Sequence, residues 1–93
     1  MEKYELTLVL DGKITAAKIK TVSGKLSKLV ELFKGKIVKL EEWGKKDLAY
    51  PINKSSTGYF LYGELELTTN TVKGLTDKLR IDEDILRYLI IRV

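Results

Sequence analysis

The hydrophobic and polar residues of this chain follow two different periods in its first third. The opening segment YELTLVL alternates, with Leu6, Leu8 and Leu10 on one side, as in a half-buried strand. Apolar residues then recur at spacings of three and four, at Ile19, Val22, Leu26, Leu29, Val30 and Phe33. Thr15 is the predicted N-cap of this helix, and Gly35 is its predicted C-terminal stop. A strand followed by a helix is therefore expected.

Two strand-like segments, residues 36–50 and 59–67, flank a polar stretch in the middle of the chain. The only proline of the sequence opens this stretch and removes a backbone donor, and asparagine, serine and glycine supply turn-forming residues. The pattern predicts a hairpin with a long loop over residues 51–57 and Lys54 at its tip. Gly44, inside the first segment, predicts a bulge or a bend.

The last third predicts a short helix and a final strand. Val72, Leu75 and Leu79 form the inward stripe of this helix, with Thr68 and Thr69 as candidate caps. The last nine residues are almost wholly apolar. The order strand, helix, strand, strand, helix, strand matches the ferredoxin-like βαββαβ arrangement, an α+β fold with two helices on one face of a four-stranded antiparallel sheet. A length of 93 residues suits one domain over residues 1–93.

Helices on one face leave the other face of the sheet uncovered. Alternation places a mixed set of side chains there: Val9, Phe60, Tyr62, Leu89 and Ile91, alongside Lys3, Glu5, Thr7 and Arg87. An apolar cluster of this kind is typical of a binding surface. The simpler alternative is that Phe60 and Tyr62 only strengthen cross-strand pairing.

The segment EEWGKKD, residues 41–47, carries charges of both signs on what should be an edge strand. Edge charges discourage unwanted strand pairing. The same segment can also contact a protein or an RNA through Trp43 with Lys45 and Lys46. The two roles are compatible, and the pattern leaves both open.

Composition narrows the function classes. The chain has no Cys and no His, which removes thiolate nucleophiles, the common zinc ligands and the usual acid–base group. We therefore expect no enzyme activity and no cofactor. The net charge of +4 permits phosphate binding without requiring it. No signal-peptide layout and no long apolar run occurs, so a cytoplasmic protein is expected. A self-associating regulatory or scaffold domain without RNA binding is the alternative from another class.

Four blocks of the sequence, in this order, resemble bacterial small-subunit ribosomal protein six. They are KYELTLVL, EEWGKKDLAYPINK, GYFLYGELEL and LRIDEDILRYLIIRV, and LAYPI-x-K followed by GYF is the most distinctive part. The resemblance implies a ferredoxin-like domain in the small ribosomal subunit. It also implies binding to small-subunit rRNA together with ribosomal protein eighteen, which stabilises the platform during assembly.

The resemblance also implies site residues. The candidate RNA contacts are Lys3, Tyr4, Lys45, Lys46, Tyr50, Lys54, Arg87 and Arg92. The candidate contacts to the protein partner are Glu41, Glu42, Trp43, Phe60, Tyr62, Leu89 and Ile91. Asp47 departs from the family pattern, because members often continue the basic run at this position.

Overall fold

A computed structural model describes the backbone of residues 2–52 and 55–93 and the side chains of residues 2–47 and 57–93. Its elements are β1 (Glu2–Asp11), α1 (Ala16–Leu32), β2 (Lys36–Ile52), β3 (Ser55–Leu67), α2 (Val72–Arg80) and β4 (Ile85–Arg92). The strands form one sheet in the order β2, β3, β1, β4, and each neighbouring pair is antiparallel. The predicted ferredoxin-like fold is confirmed, with β2 and β4 at the two edges.

The hydrophobic core lies between the helices and one face of the sheet. Alternate residues of β1 and β3 supply most of its sheet side: Tyr4, Leu6, Leu8, Leu10, Leu61, Leu65 and Leu67. The helices supply Ile19, Val22, Leu26, Val30, Leu75 and Leu79. These positions agree with the predicted strand and helix periods, because a period of two places one side of a strand in the core and a period near 3.6 does the same for a helix.

The first helix begins as predicted but ends differently. The backbone N–H of Lys18 donates a hydrogen bond to the Thr15 side chain at 3.2 Å, so Thr15 is the N-cap. At the other end the left-handed residue is Lys34, with φ of 59°, and not Gly35. Gly35 is needed for space, because a Cβ there would lie 2.3 Å from Leu67 Cδ2.

The predicted long hairpin loop over residues 51–57 is wrong. The edge strand β2 continues to Ile52, β3 starts at Ser55, and these two residues are register partners. Pro51 is compatible with β2 because an edge strand has one side without ladder hydrogen bonds. Lys54, the predicted tip, lies outside the described residues.

The predicted bulge at Gly44 is confirmed. The β2–β3 register shifts between Glu42 and Gly44, which leaves Trp43 as the extra residue. Gly44 has φ of +88°, a conformation that residues with a Cβ rarely adopt. The bulge therefore changes which side chains of β2 lie on each face of the sheet.

The second helix starts later than predicted. A single 3₁₀ turn, Thr69–Thr71, precedes α2, and neither Thr68 nor Thr71 caps a helix with its side chain. The Thr71 hydroxyl instead donates to the Thr68 carbonyl at 2.8 Å. The predicted inward stripe is correct, since Leu75 and Leu79 are buried and Val72 is partly buried. Within the described part of the chain, neither helix has the length and hydrophobicity that crossing a membrane requires.

Candidate functional site

The face of the sheet opposite the helices, called the open face below, can be read as four rows of residues across the strands. Lys46, Gly58 and Asp11 are register partners on the side of these rows nearer the β2–β3 hairpin. The first of the four rows after them contains Gly44, Phe60, Val9 and Arg87, and the next contains Glu41, Tyr62, Thr7 and Leu89. The third contains Lys39, Glu64, Glu5 and Ile91, and the fourth Lys36, Glu66, Lys3 and Val93. The structure therefore brings aromatic, acidic, basic and apolar side chains together on one surface.

An aromatic and cationic cluster occupies the hairpin end of the open face. The rings of Trp43 and Tyr62 stack with centroids 4.8 Å apart and planes 10° from parallel. The Lys46 ammonium lies 5.4 Å from the Trp43 ring centroid and 5.7 Å from that of Phe60. Cation–π contacts at exposed sites stabilise by about 0.5–1 kcal/mol each. Trp43 lies on this surface two residues after Glu41, and the bulge places Gly44 on the same surface beside it.

Two carboxylates in the centre of the open face accept hydrogen bonds from the Tyr62 hydroxyl and from the Trp43 indole N–H. The Tyr62 hydroxyl donates to a Glu5 carboxylate oxygen at 2.8 Å, which raises the pKa of Tyr62 to about 12. The Trp43 indole N–H donates to Glu41, also at 2.8 Å. Glu41 further pairs with Lys39 at 2.7 Å. The Lys39 hydrogen bond, followed by that of Trp43, lowers the pKa of Glu41, so this carboxylate stays charged at neutral pH.

An apolar strip follows the β4 edge of the open face. Leu89, Ile91 and Val93 are exposed by 56%, 52% and 71%. They occupy alternate positions and therefore lie side by side in one line. Val9, in the adjacent strand, is only 7% exposed although it does not belong to the core between sheet and helices. The strip is a continuous hydrophobic surface of the type that partner proteins cover.

Cations lie at both ends of the open face and acids lie between them. Lys46 and Arg87 mark the hairpin end, whereas Lys3 and Lys36 mark the opposite end. The first and fourth rows are six residue steps apart along β1, from Val9 to Lys3, which corresponds to roughly 20 Å at 3.3–3.4 Å per residue. The central rows contain Glu5, Glu41 and Glu64. Apart from Lys39, which is paired with Glu41, the basic charge of this face is thus divided into two regions.

Several predicted site residues lie elsewhere. Glu42 and Lys45 pair with Leu61 and Tyr59 and lie on the helix side of β2. The register shift between Ile37 and Lys39 places Glu42 there, and the bulge at Gly44 places Lys45 there. Burial raises the pKa of Tyr59, and the nearby Glu42 charge adds to that effect.

Two further candidate RNA contacts differ from expectation, and two are not described. Tyr4 is only 6% exposed in the core, so its ring is not part of the surface. Arg92 is the register partner of Tyr4, on the opposite side of β4 from Arg87, and pairs with Glu2 at 2.9 Å. The Tyr50 side chain and all of Lys54 lie outside the described residues. Of the eight candidates, Lys3, Lys46 and Arg87 are thus exposed on the open face.

The candidate contacts to a protein partner lie closer together. Six of the seven share the open face: Glu41, Trp43, Phe60, Tyr62, Leu89 and Ile91. The sequence did not reveal the support that Glu5 gives to Tyr62. Alternation places both on one face, but their proximity depends on the β1–β3 register, in which Glu5 and Tyr62 are diagonal neighbours.

The chain was compared with known proteins. The family model described as ribosomal protein S6 matches residues 3–92. Small ribosomal subunit protein bS6 of Pelobacter propionicus is 36% identical over 95% of this chain and 68% of its own length. The bS6 protein of Corynebacterium aurimucosum is also 36% identical, over 99% of this chain and 96% of its own. The resemblance seen in the sequence is confirmed.

The fold comparison agrees with the sequence comparison. The crystal structure of 30S ribosomal protein S6 from Thermotoga maritima superposes with a TM-score of 0.92 at 22% identity, over 99% of this chain and 87% of that one. At that identity the structural likeness supports the fold alone. The sequence relatives are structural proteins of the small subunit, a cytoplasmic particle in bacteria, and the family is not enzymatic. On this evidence the chain belongs to the ribosomal protein S6 family of the small ribosomal subunit.

Proposed function

We propose that the chain binds small-subunit rRNA together with ribosomal protein eighteen through the open face of its sheet, and that this joint binding stabilises the platform during assembly. The observation that supports the proposal most strongly is the adjacency of two surfaces. Lys46, over the exposed Trp43 ring, and Arg87, in the row of Phe60, both lie at the hairpin end, and the apolar strip of β4 starts at Leu89 in the row after Arg87. One ligand surface can therefore continue into the other.

The RNA contacts in this proposal lie at the hairpin end. Lys46 and Arg87 lie on opposite edge strands, three strand spacings or about 14 Å apart across the sheet at 4.7–4.9 Å per spacing. Lys46 lies one row closer to the hairpin tip than Arg87, since its register partner is Gly58. Both are exposed and can reach phosphate oxygens of neighbouring backbone segments. Trp43 is 44% exposed beside them and offers a ring on which an unpaired base can stack.

The protein partner in this proposal covers the centre of the open face and the apolar strip. Leu89 and Ile91 supply exposed hydrophobic area. The neighbouring row positions Glu5 and Glu64 supply negative charge, so the matching surface on the partner is basic with apolar anchors. Ribosomal protein eighteen enters here because the family resemblance implies it.

Joint binding follows from the charge arrangement. RNA alone would meet the central carboxylates between the two cationic ends, and like charges repel. A basic partner that covers Glu5, Glu41 and Glu64 removes this repulsion and connects the ends into one cationic surface. Each ligand should then raise the affinity for the other by the same factor, as linkage requires.

The proposal is tested by filter binding of a central-domain rRNA fragment, with and without ribosomal protein eighteen. Lys46→Gln with Arg87→Gln should weaken binding and reduce the slope of log affinity against log salt by about 0.7–0.9 for each phosphate that the protein no longer neutralises. The matched control is Lys20→Gln with Lys73→Gln, which removes the same charge from the exposed sides of the helices. Equal effects of the two double variants on affinity would reject the assigned RNA contacts.

A further inference from the structure

A second surface lies on the helical side of the molecule, away from the open face. A groove of about 420 Å³ runs between α1 and α2. The buried side chains of Leu8, Leu26 and Leu79 form its floor, and Leu29 and the 66% exposed Leu32 form one wall. An apolar groove of this depth is where a ligand or a partner side chain can be buried.

The groove exists because α2 does not fill the space beside α1. At one end the helices touch where Gly74 meets Phe33, since a Cβ on Gly74 would lie 2.8 Å from the Phe33 ring. At the other end Lys25 pairs with Asp82 at 3.4 Å. Between these contacts, the described lining from α2 consists of Leu79 in the floor and Lys78 at the mouth. No large apolar side chain of α2 in that lining covers Leu29.

The rim of the groove is positively charged along both walls. Lys25 and Lys28 line it from α1, and Lys78 lines it from α2. Asp82 is the single acidic residue among the described lining residues, and it is already paired with Lys25. Lys28 and Lys78 therefore give the two walls of the groove a positive charge. A ligand with an apolar centre and a carboxylate on each side would complement that charge.

The shape favours a helix over a small anion. Small-molecule sites have a few polar groups that converge on one point, whereas here the lysines are distributed along two opposite walls. The α1 wall extends from Val22 to Leu32, or about 15 Å at 1.5 Å per residue. An amphipathic helix placed in a groove buries residues spaced i, i+3, i+4 and i+7, and its flanking residues lie opposite the two rims.

We propose that this groove docks an amphipathic α-helix of a partner protein, with Asp or Glu residues on both sides of its apolar stripe. The docked helix packs its apolar residues on Leu29 and Leu32, while its carboxylates lie opposite Lys28 and Lys78. This surface is separate from the open face, so the inference does not depend on the proposed rRNA function. Both surfaces can be occupied at once.

The probe is a synthetic helical peptide of about five turns, roughly 18 residues at 3.6 per turn, with leucines at helical spacing flanked by glutamates. A second peptide replaces every glutamate with lysine, and a third scrambles the acidic sequence so that the leucine period is lost. Fluorescence anisotropy with the full chain gives the affinities. Amide chemical shifts of the labelled chain then identify the site, and we expect the largest changes around Leu29, Leu32 and Lys78.

Charge exchange provides the sharpest variant. Lys28→Glu with Lys78→Glu should weaken binding of the acidic peptide by about tenfold or more, and should make the lysine peptide the better ligand. Lys20→Glu with Lys73→Glu is the matched control, with the same net charge and the same two helices outside the groove lining. The control should retain the preference for the acidic peptide.

A second variant pair tests the apolar part. Leu32→Ser removes an exposed groove residue without opening the core, and Ile81→Ser removes a similarly exposed residue that does not line the groove. Only Leu32→Ser should lower the affinity for the acidic peptide. The proposal is overturned if the scrambled peptide binds equally well, if the shifts lie on the open face, if no peptide binds, or if decanoate competes for the groove while the helical peptide does not.

Discussion

The two faces of the sheet differ in what their side chains contribute. In the two central strands, β1 and β3, the helix-covered face is mostly leucine, with Leu6, Leu61 and Leu65 at 0–1% exposure. The open face mixes exposed apolar residues with charged and aromatic ones held by cross-strand hydrogen bonds. Burial of apolar area is the main source of stability, so the covered face determines the fold. The open face can therefore carry a surface pattern that stability alone does not require.

The largest expected effect is the difference in the free energy of unfolding between a substitution on the covered face and one on the open face. Leu65→Ala should lower the free energy of unfolding by about 2–5 kcal/mol, because it leaves a cavity at a fully buried site. Leu89→Ala, on the open face, should stay within about 0.5 kcal/mol of the parent, as exposed substitutions usually do. Urea denaturation of both variants measures the difference. Similar destabilisation by both would show that the open face also belongs to the core.

The next effect concerns how closely the covered face is packed. Gly35→Ala should destabilise by about 1–3 kcal/mol, because its Cβ would meet Leu67 Cδ2 at 2.3 Å and the Glu66 carbonyl oxygen at 2.7 Å. Gly24→Ala is the control, since nothing lies within 4 Å of its Cβ on the exposed side of α1. That change should stabilise by about 0.5–1 kcal/mol. Thermal unfolding that ranks the two variants in the opposite order would contradict the packing described here.

A smaller effect is visible on the open face at high pH. Tyr62 has its pKa raised to about 12 from 10.0, so the contribution of its bond to Glu5 is fully present below pH 10 and is lost as the pH rises through about 12. Tyrosinate absorbance should show a step near pH 12 from Tyr62, in addition to the titration of Tyr59, whose pKa burial also raises. Tyr62→Phe should remove this step, and Glu5→Gln should move it to lower pH. The same step, if it persists in Tyr62→Phe, would assign the shift to another residue.

The smallest effect is expected in acid and is local to Trp43. Glu41 has its pKa lowered below 4.5, so its support of the indole is present above that value and is lost as the pH falls through the lowered pKa. Trp43 is the only tryptophan, and its emission should be constant down to about pH 5 and change below the ordinary carboxyl range. Glu41→Gln should remove most of this change while the far-ultraviolet circular dichroism stays constant.

Periodicity predicted the covered face well because that face has a single physical requirement. Leucines at every second position of β1 and β3 are buried as expected, and the helix stripes of α1 and α2 follow their period. Topology followed from element order, and the bulge at Gly44 followed from its missing side chain.

The details that were not predicted depend on strand register and on the local backbone conformation at the end of α1. Two register shifts in β2, between Ile37 and Lys39 and at Gly44, place Glu42 and Lys45 on the helix side, which simple alternation along β2 does not reveal. Tyr4 was a candidate RNA contact, yet its position in the alternation of β1 places its ring in the core. Lys34 adopts the left-handed conformation because it closes α1: its N–H donates to the Glu31 carbonyl and the Gly35 N–H donates to the Val30 carbonyl.

The central claim is that the open face, and not the helical side, receives ribosomal protein eighteen and rRNA. Methyl chemical shifts of the labelled chain test this most directly during addition of the partner and then of a central-domain rRNA fragment. The account predicts large shifts at Leu89 and Ile91 and unchanged methyls at Leu32 and Ile81, although all four are exposed in the free chain. Shifts confined to Leu32 and Ile81, with Leu89 and Ile91 unchanged, would contradict it.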